Sequence, residues 1–148
     1  MQLIKLALKP FNAYCMEIKI TPNMKLSEIQ DLFQKRFNFL KIEFFKTKKD
    51  AEYTADDILD PQRKISALSE NASTDSVEIT GLMKVSDVEK DISDKLGLHV
   101  EIFRKSGKVW LKTSSSDHWT LVEQNARAQE YEKELEIKPE QTDWREQE

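Results

Sequence analysis

The residues in this chain with the chemistry to act as nucleophile or general base are few: Cys15, His99 and His118. A Cys/His pair works when the imidazole takes the thiol proton and a third group orients the ring. Here the three residues are scattered along the sequence, and no orienting group can be picked out from spacing. The run Ser114-Ser115-Ser116-Asp117-His118 holds every residue type of a serine triad. A triad is assembled in space from separate elements, and neighbouring side chains rarely make one. A polar loop that caps a following helix accounts for the same residues, with Thr120 as N-cap and Glu123 three positions on as a capping box. No catalytic residue is therefore expected. Gly81, Gly97 and Gly107 are the only glycines, and none stands in a phosphate-loop or dinucleotide pattern. One cysteine and two isolated histidines cannot form a zinc cluster, so neither a metal nor a cofactor is expected.

Two segments have the chemistry of binding. Arg104, Lys105, Lys108 and Lys112 are interleaved with Phe103 and Trp110. Bases neutralise phosphates and aromatic rings stack on nucleobases, although a charged, solubilising sheet edge has the same composition. The second segment is the C-terminal tail, where Tyr131, Leu135, Ile137 and Trp144 stand among acids. Such apolar anchors suit either a partner protein or the chain's own body. From Ala126 to Glu148 there are eight acids and four bases, which leaves 19 of each sign in residues 1–125. A neutral body lacks the excess of Lys and Arg that nonspecific binding to nucleic acid or anionic membrane requires. The expectation is a non-enzymatic protein-interaction module, an adaptor or complex subunit, whose partner is another protein. Nucleic-acid binding through the Phe103 to Lys112 hairpin is the alternative.

The elements that must position these segments follow from apolar spacing. Met24-Lys-Leu-Ser-Glu-Ile29 returns 59 residues later as Met83-Lys-Val-Ser-Asp-Val88, each preceded by an alternating segment, Ile18 to Thr21 and Val77 to Thr80. Leu26, Ile29, Phe33 and Phe37 share one face of a helix, and so do Val85, Val88, Ile92 and Leu96. The helix starts are consistent with capping boxes, Ser27 with Gln30 and Ser86 with Glu89. They are equally consistent with a start two residues earlier and hydrophobic staples, Met24 with Ile29 and Met83 with Val88. Asn38 and Gly97 follow as residues that tolerate a left-handed stop. Returning strands are expected at Ile42 to Lys46 and Val100 to Arg104, with Ser106-Gly107 turning the latter into Val109 to Leu111. An extra strand, Leu3 to Leu8, turns around Pro10 to Ala13 and makes an N-terminal hairpin with Met16 to Thr21. Residues 47–64 and 70–76 read as loops, Thr120 to about Glu136 as a helix, and the segment past Pro139 as disordered. The fold class is α+β: residues 1–82 as one unit, 83–125 as a second helix-strand-strand repeat packed on it, and 126–148 as the acidic tail.

The order hairpin, helix, strand, loop with a short turn, final strand in residues 1–82 resembles the ubiquitin-like β-grasp. Met1-Gln-Leu-Ile4, Glu17 to Pro22 before the helix, and Ile65 to Leu68 before Val77 to Ile79 carry the resemblance. It implies a sheet grasping one helix. It does not carry conjugation chemistry, because no terminal Gly-Gly is present, nor ubiquitin's apolar recognition patch, where only Leu8 is apolar and the other aligned positions are Glu43 and Thr80. The duplicated unit is also similar to small tandem-repeat bacterial proteins of unassigned function. Cys15 as the only cysteine excludes an intramolecular disulfide. The run Met1 to Leu8 is broken by Lys5 and no apolar stretch reaches membrane-spanning length. A cytoplasmic, non-membrane protein is expected.

Overall fold

Period-two apolar spacing makes two very short strands that face the core with alternate residues. In β1 (Ile18–Ile20) and β3 (Val77–Ile79) the outer residues are buried and the middle one exposed. The computed structural model describes residues 17–46, 53–69 and 76–147, with side chains through Glu136. The expected hairpin strand Leu3 to Leu8, its turn at Pro10 to Ala13, and Cys15 lie outside the described residues, as do the side chains of Ile137 and Trp144. The strands β1 and β3 pair antiparallel, Ile18 opposite Ile79 and Ile20 opposite Val77. This sets Lys19 opposite Glu78 on the outer face, a favourable cross-strand charge pair.

A second, three-stranded antiparallel sheet has the order β2-β4-β5, built from Leu40–Phe45, His99–Ser106 and Val109–Lys112. Strand β4 is longer than either neighbour. Its first part pairs with β2, from Phe45 opposite His99 to Leu40 opposite Arg104, and its last part pairs with β5. Gly107 sits at φ 63° in the two-residue turn between β4 and β5, a left-handed position that a side chain would strain. Among the described residues, β2 takes its ladder partner β4 from the second half of the chain and makes a single bridge, Phe45 to Ile58, within the first.

Helix α1 (Leu26–Arg36) and helix α3 (Val85–Leu96) lay matching faces into one buried cluster. Leu26, Ile29, Phe33 and Phe37 from the first and Val85, Val88, Ile92 and Leu96 from the second are all at most 1% exposed. Ile18, Ile20, Val77, Ile79, Leu40, Ile42, Phe44, Ile65, Leu98, Val100, Ile102 and Leu121 complete that cluster, so both sheets share it.

The helix starts settle the capping question in favour of the earlier one. Lys25 and Lys84 are the N-caps, which places Met24 and Met83 at the staple position, packed against the core. Ser27 is already inside the helix, and Gln30 instead donates from Nε2 to the Ile42 carbonyl of β2 at 3.0 Å. In each case the leading N–H groups are met by carbonyls of a distant turn. Leu26 donates to Arg63 and Ser27 to Pro61, while Val85 donates to Trp119 and Ser86 to Asp117. The favour is returned. In α2 (Ile65–Leu68), Ile65 donates to Met24 and Ser66 to Pro22; in α4 (Leu121–Gln147), Leu121 donates to Met83 and Val122 to Gly81. Thr21 and Thr80 each point their N–H at the sulfur three residues on, at 3.4 Å.

The stops differ from one another. Gly97 is the left-handed cap of α3, as expected, with φ 68°. Helix α1 ends on Phe37 at φ −130°, ψ 86°, its N–H returning to Phe33, so the cap residue is an ordinary one and Asn38 lies beyond it. Helix α4 begins with the expected capping box: Glu123 N–H donates to Thr120 Oγ1 at 3.1 Å and Thr120 N–H to Glu123 Oε1 at 3.2 Å. It then runs to Gln147, past the Pro139 where we expected order to end.

Because the two halves share one buried cluster, removing a side chain from either should weaken the whole. Ile92→Ala should lower stability by about 2–5 kcal/mol in a single urea transition monitored by circular dichroism. Two separate transitions, or a loss under about 1 kcal/mol, would show that the halves do not stand together.

Candidate functional site

Register assigns the hairpin side chains to two faces, since cross-strand partners and alternate residues share a face. Lys41 lies opposite Phe103, Phe103 opposite Lys112, and Lys105 opposite Trp110, so Lys41, Phe103, Lys105, Trp110 and Lys112 occupy one face. Lys41 Nζ stands over the Phe103 ring at 5.3 Å and over the Trp110 ring at 5.1 Å, within reach of cation–π attraction to both. Arg104 lies opposite Leu111, and Ser106 opposite Val109, on the other face. Lys108 is exposed in the turn.

That other face meets α4. Gly107 N–H donates to Glu132 Oε1 at 2.8 Å, and a Cβ added at Gly107 would come within 3.4 Å of Leu135 Cδ1. Further back, Gln124 is fully buried and donates from Nε2 to the Ser116 carbonyl at 2.7 Å and to Ser116 Oγ at 2.8 Å, while Asn125 Oδ1 accepts the Phe39 N–H at 2.9 Å. These contacts hold the helix beside the sheet and leave a pocket of about 390 Å3. Arg104, Lys105, Leu111, Trp119, Arg127 and Tyr131 line it, and the Arg127 guanidinium lies 5.4 Å from the centre of the Trp119 ring. The hairpin and the tail, read separately in the sequence, thus contribute to one concavity. Lys41, Trp119 and Arg127 were missed. Lys41 joins only through the β2–β4 register, whereas Arg127 and Tyr131, four apart on a helix, were visible as a helical pair.

The residues considered for nucleophilic chemistry fall elsewhere. Cys15 is outside the described residues. Ser114–Ser116 forms a 3-10 turn in which the Ser116 hydroxyl accepts from Gln124, and exposed His118 turns its ring edge toward Trp119, with centroids 6.2 Å apart. His99 belongs to a different group. Its ring stacks on Tyr53 with centroids 3.9 Å apart and planes 4° from parallel, and its Nε2 lies 2.9 Å from Glu101 Oε1. Glu89 of α3 adjoins the same carboxylate. Burial, then the nearby Glu101 and Asp117 charges and the hydrogen bond with Glu101, push the Glu89 carboxyl up to about 8. Glu123, which accepts the Thr120 N–H and hydroxyl, is held below the usual carboxylate range by those bonds.

Among the described residues no group of three or more His, Cys, Asp and Glu could hold a metal ion, and no helix is long and apolar enough to cross a membrane. No protein-family model, curated protein or solved structure matches this chain, so its function has to be reasoned from geometry.

The Glu89 carboxyl carries a pH signature. Its pKa is higher folded than unfolded, so the folded state binds the extra proton across pH 4.5 to about 8, and stability falls as pH rises through that window. Melting temperature should therefore decline between about pH 5 and 9, and Glu89→Gln should flatten that decline. Parallel curves for the two proteins would place the titration elsewhere.

Proposed function

We propose that this chain is a non-enzymatic protein-binding module whose contact surface is the β4–β5 hairpin with the described part of α4. The observation that carries the reading is the edge position of β5, which among the described residues pairs with β4 alone. Val109 is 55% exposed and Leu111 43%, on the face they share with the pocket lined by Tyr131, itself 40% exposed. Natural sheet edges are usually shortened, charged or covered, because an unpaired ladder recruits another strand. Here Lys108 and Lys112 flank two exposed apolar residues, a pattern that suits a partner segment adding to the edge with its side chains alongside Leu111 and Tyr131.

The scaffold behind this surface we read as a β-grasp-like unit in 1–82 and a second, partial helix-strand-strand copy in 83–125, whose leading strand β3 lies within the first segment, with 126–148 as the partner-facing extension. Support comes from the five pairs of equivalent hydrogen bonds at the helix starts and from eight core positions at a constant offset. The β-grasp-like reading of the first segment belongs to the same proposal, supported by the order β1, α1, β2, α2, β3 and by α1 packing on β1 and β2. A cytoplasmic setting is also part of it, and rests on the single cysteine.

A specific observation favours a second reading, single-stranded nucleic acid. Three lysines and two aromatic rings, Lys41, Lys105, Lys112, Phe103 and Trp110, share one sheet face, where bases can stack and phosphates find cations.

For the first reading, proteins captured by the immobilised full chain and cross-linked to it should map to residues 109–112 and be lost from the double variant Val109→Lys, Leu111→Lys. Retention of every partner by that variant would remove the edge from the account; retention after truncation at Glu136 would remove only the end of the tail. For the second, affinity for a single-stranded oligonucleotide should fall with salt, and Lys105→Gln and Lys112→Gln should each lower the slope by about one. An oligonucleotide that fails to bind at low salt eliminates this reading.

A further inference from the structure

We infer that the pocket between the β4–β5 hairpin and α4 is a binding site for a nucleoside phosphate, a planar ring joined to an anionic group. Its lining combines two guanidinium cations, Arg104 and Arg127, with two aromatic rings, Trp119 and Tyr131, and contains no carboxylate; Lys105 borders it too, but the register sends its side chain to the opposite sheet face. Two acids of the same helix are hydrogen-bonded elsewhere: Glu123, one turn before Arg127, accepts from the Thr120 N–H and hydroxyl while also attracting Arg127, and Glu132 accepts from Gly107 N–H. Among the described residues, neither guanidinium has a carboxylate oxygen within 4 Å. The Glu123 charge offsets part of that of Arg127, and Arg104 meets no carboxylate in the lining, so a net positive field remains at the pocket.

Cations alone would suit any small anion, and the rings narrow the choice. Two guanidinium groups present planar donor forks that match phosphate oxygens bidentately. One of them, Arg127, is positioned by lying over Trp119. Tyr131 and Leu111 supply apolar wall on which a flat ring can rest. A volume of about 390 Å3 is more than an inorganic ion needs and falls within the range of small-molecule sites. The ring with its phosphate is that of a free nucleotide or of one residue of a single strand; the chemistry recognised is the same. The site shares Leu111 and Tyr131 with the protein-binding surface but is a separate inference, and it is distinct from the opposite sheet face, since Lys41, Phe103 and Trp110 are not in its lining.

Calorimetric titration of the full chain tests it, with AMP, adenosine, inorganic phosphate, phosphotyrosine and a short single-stranded oligoadenylate as probes. AMP should bind, with adenosine, phosphate and phosphotyrosine each at least about tenfold weaker. Arg104→Gln and Arg127→Gln should each weaken AMP about tenfold, while Lys90→Gln on the surface of α3 leaves it unchanged. Circular dichroism checks that the variants fold, and Arg127 is an exposed helix residue whose replacement disturbs no core contact. Tighter binding of the oligoadenylate than of AMP assigns the site to a strand; equal or weaker binding assigns it to the free nucleotide. Absence of AMP binding at millimolar concentration, phosphate or phosphotyrosine binding as well as AMP, or wild-type affinity in both arginine variants overturns the inference.

Discussion

The arrangement of this protein depends on helix starts that cap one another through the backbone. The first N–H groups of any α-helix have no partner inside the helix, and burying them unpaired is costly. Here the carbonyls of the turn before α2 satisfy the start of α1, and carbonyls before α1 satisfy the start of α2. The same exchange joins α3 and α4. Each pair of helices is thereby fixed in position by groups that every residue carries, with Glu28 Oε1 accepting the Lys25 N–H at 3.4 Å as a side-chain addition at the start of α1. The bridges Lys25 to Lys64 and Lys84 to Thr120 lie at the centre of these exchanges.

Once α3 is seated on the sheet by Val85, Val88, Ile92 and Leu96, the exchange at Met83 and Gly81 determines where α4 begins. Gln124 and Asn125 then hold its first turns against the Ser114–Ser116 turn and Phe39. Strand β4 extends beyond β2, so its far end with β5 projects alongside that helix rather than over the common core. A concavity forms beside the place where the helix meets the hairpin turn at Glu132 and Leu135. Chemistry concentrates at these margins because the centre is filled with Ile, Leu, Val and Phe. Glu89 illustrates the point: at the edge of the packed region it sits near two other carboxylates, and its proton is retained well above the usual carboxylate range.

Much of the local structure could be read from particular residues. Leu26, Ile29, Phe33 and Phe37, and their counterparts 59 positions on, are the buried faces of two helices because a 3.6-residue period leaves few other arrangements. Thr120 with Glu123, and Gly97 and Gly107, behave as their chemistry dictates. Ser27 and Gln30 misled because a Ser followed by Gln three on resembles a cap, yet distant carbonyls had already met those N–H groups, and Gln30 was free to reach β2. Asn38 misled because α1 could close on Phe37 without a left-handed residue, the side chain being drawn into the core.

What the amino-acid order determined alone is therefore local and periodic: which residues face inward, where helices begin within two positions, where the chain turns at glycine, and that the tail is acidic. Tertiary structure decided the pairing. Four strands with interchangeable Ile, Val and Phe faces give no signal of which should lie together, so β1 with β3 and β2 with β4 emerged only when both helices had to be buried at once. It also decided that Arg104 and Leu111 would meet Trp119, Arg127 and Tyr131. Side chains so distant in sequence become neighbours through the burial of others, and no spacing along the chain records it.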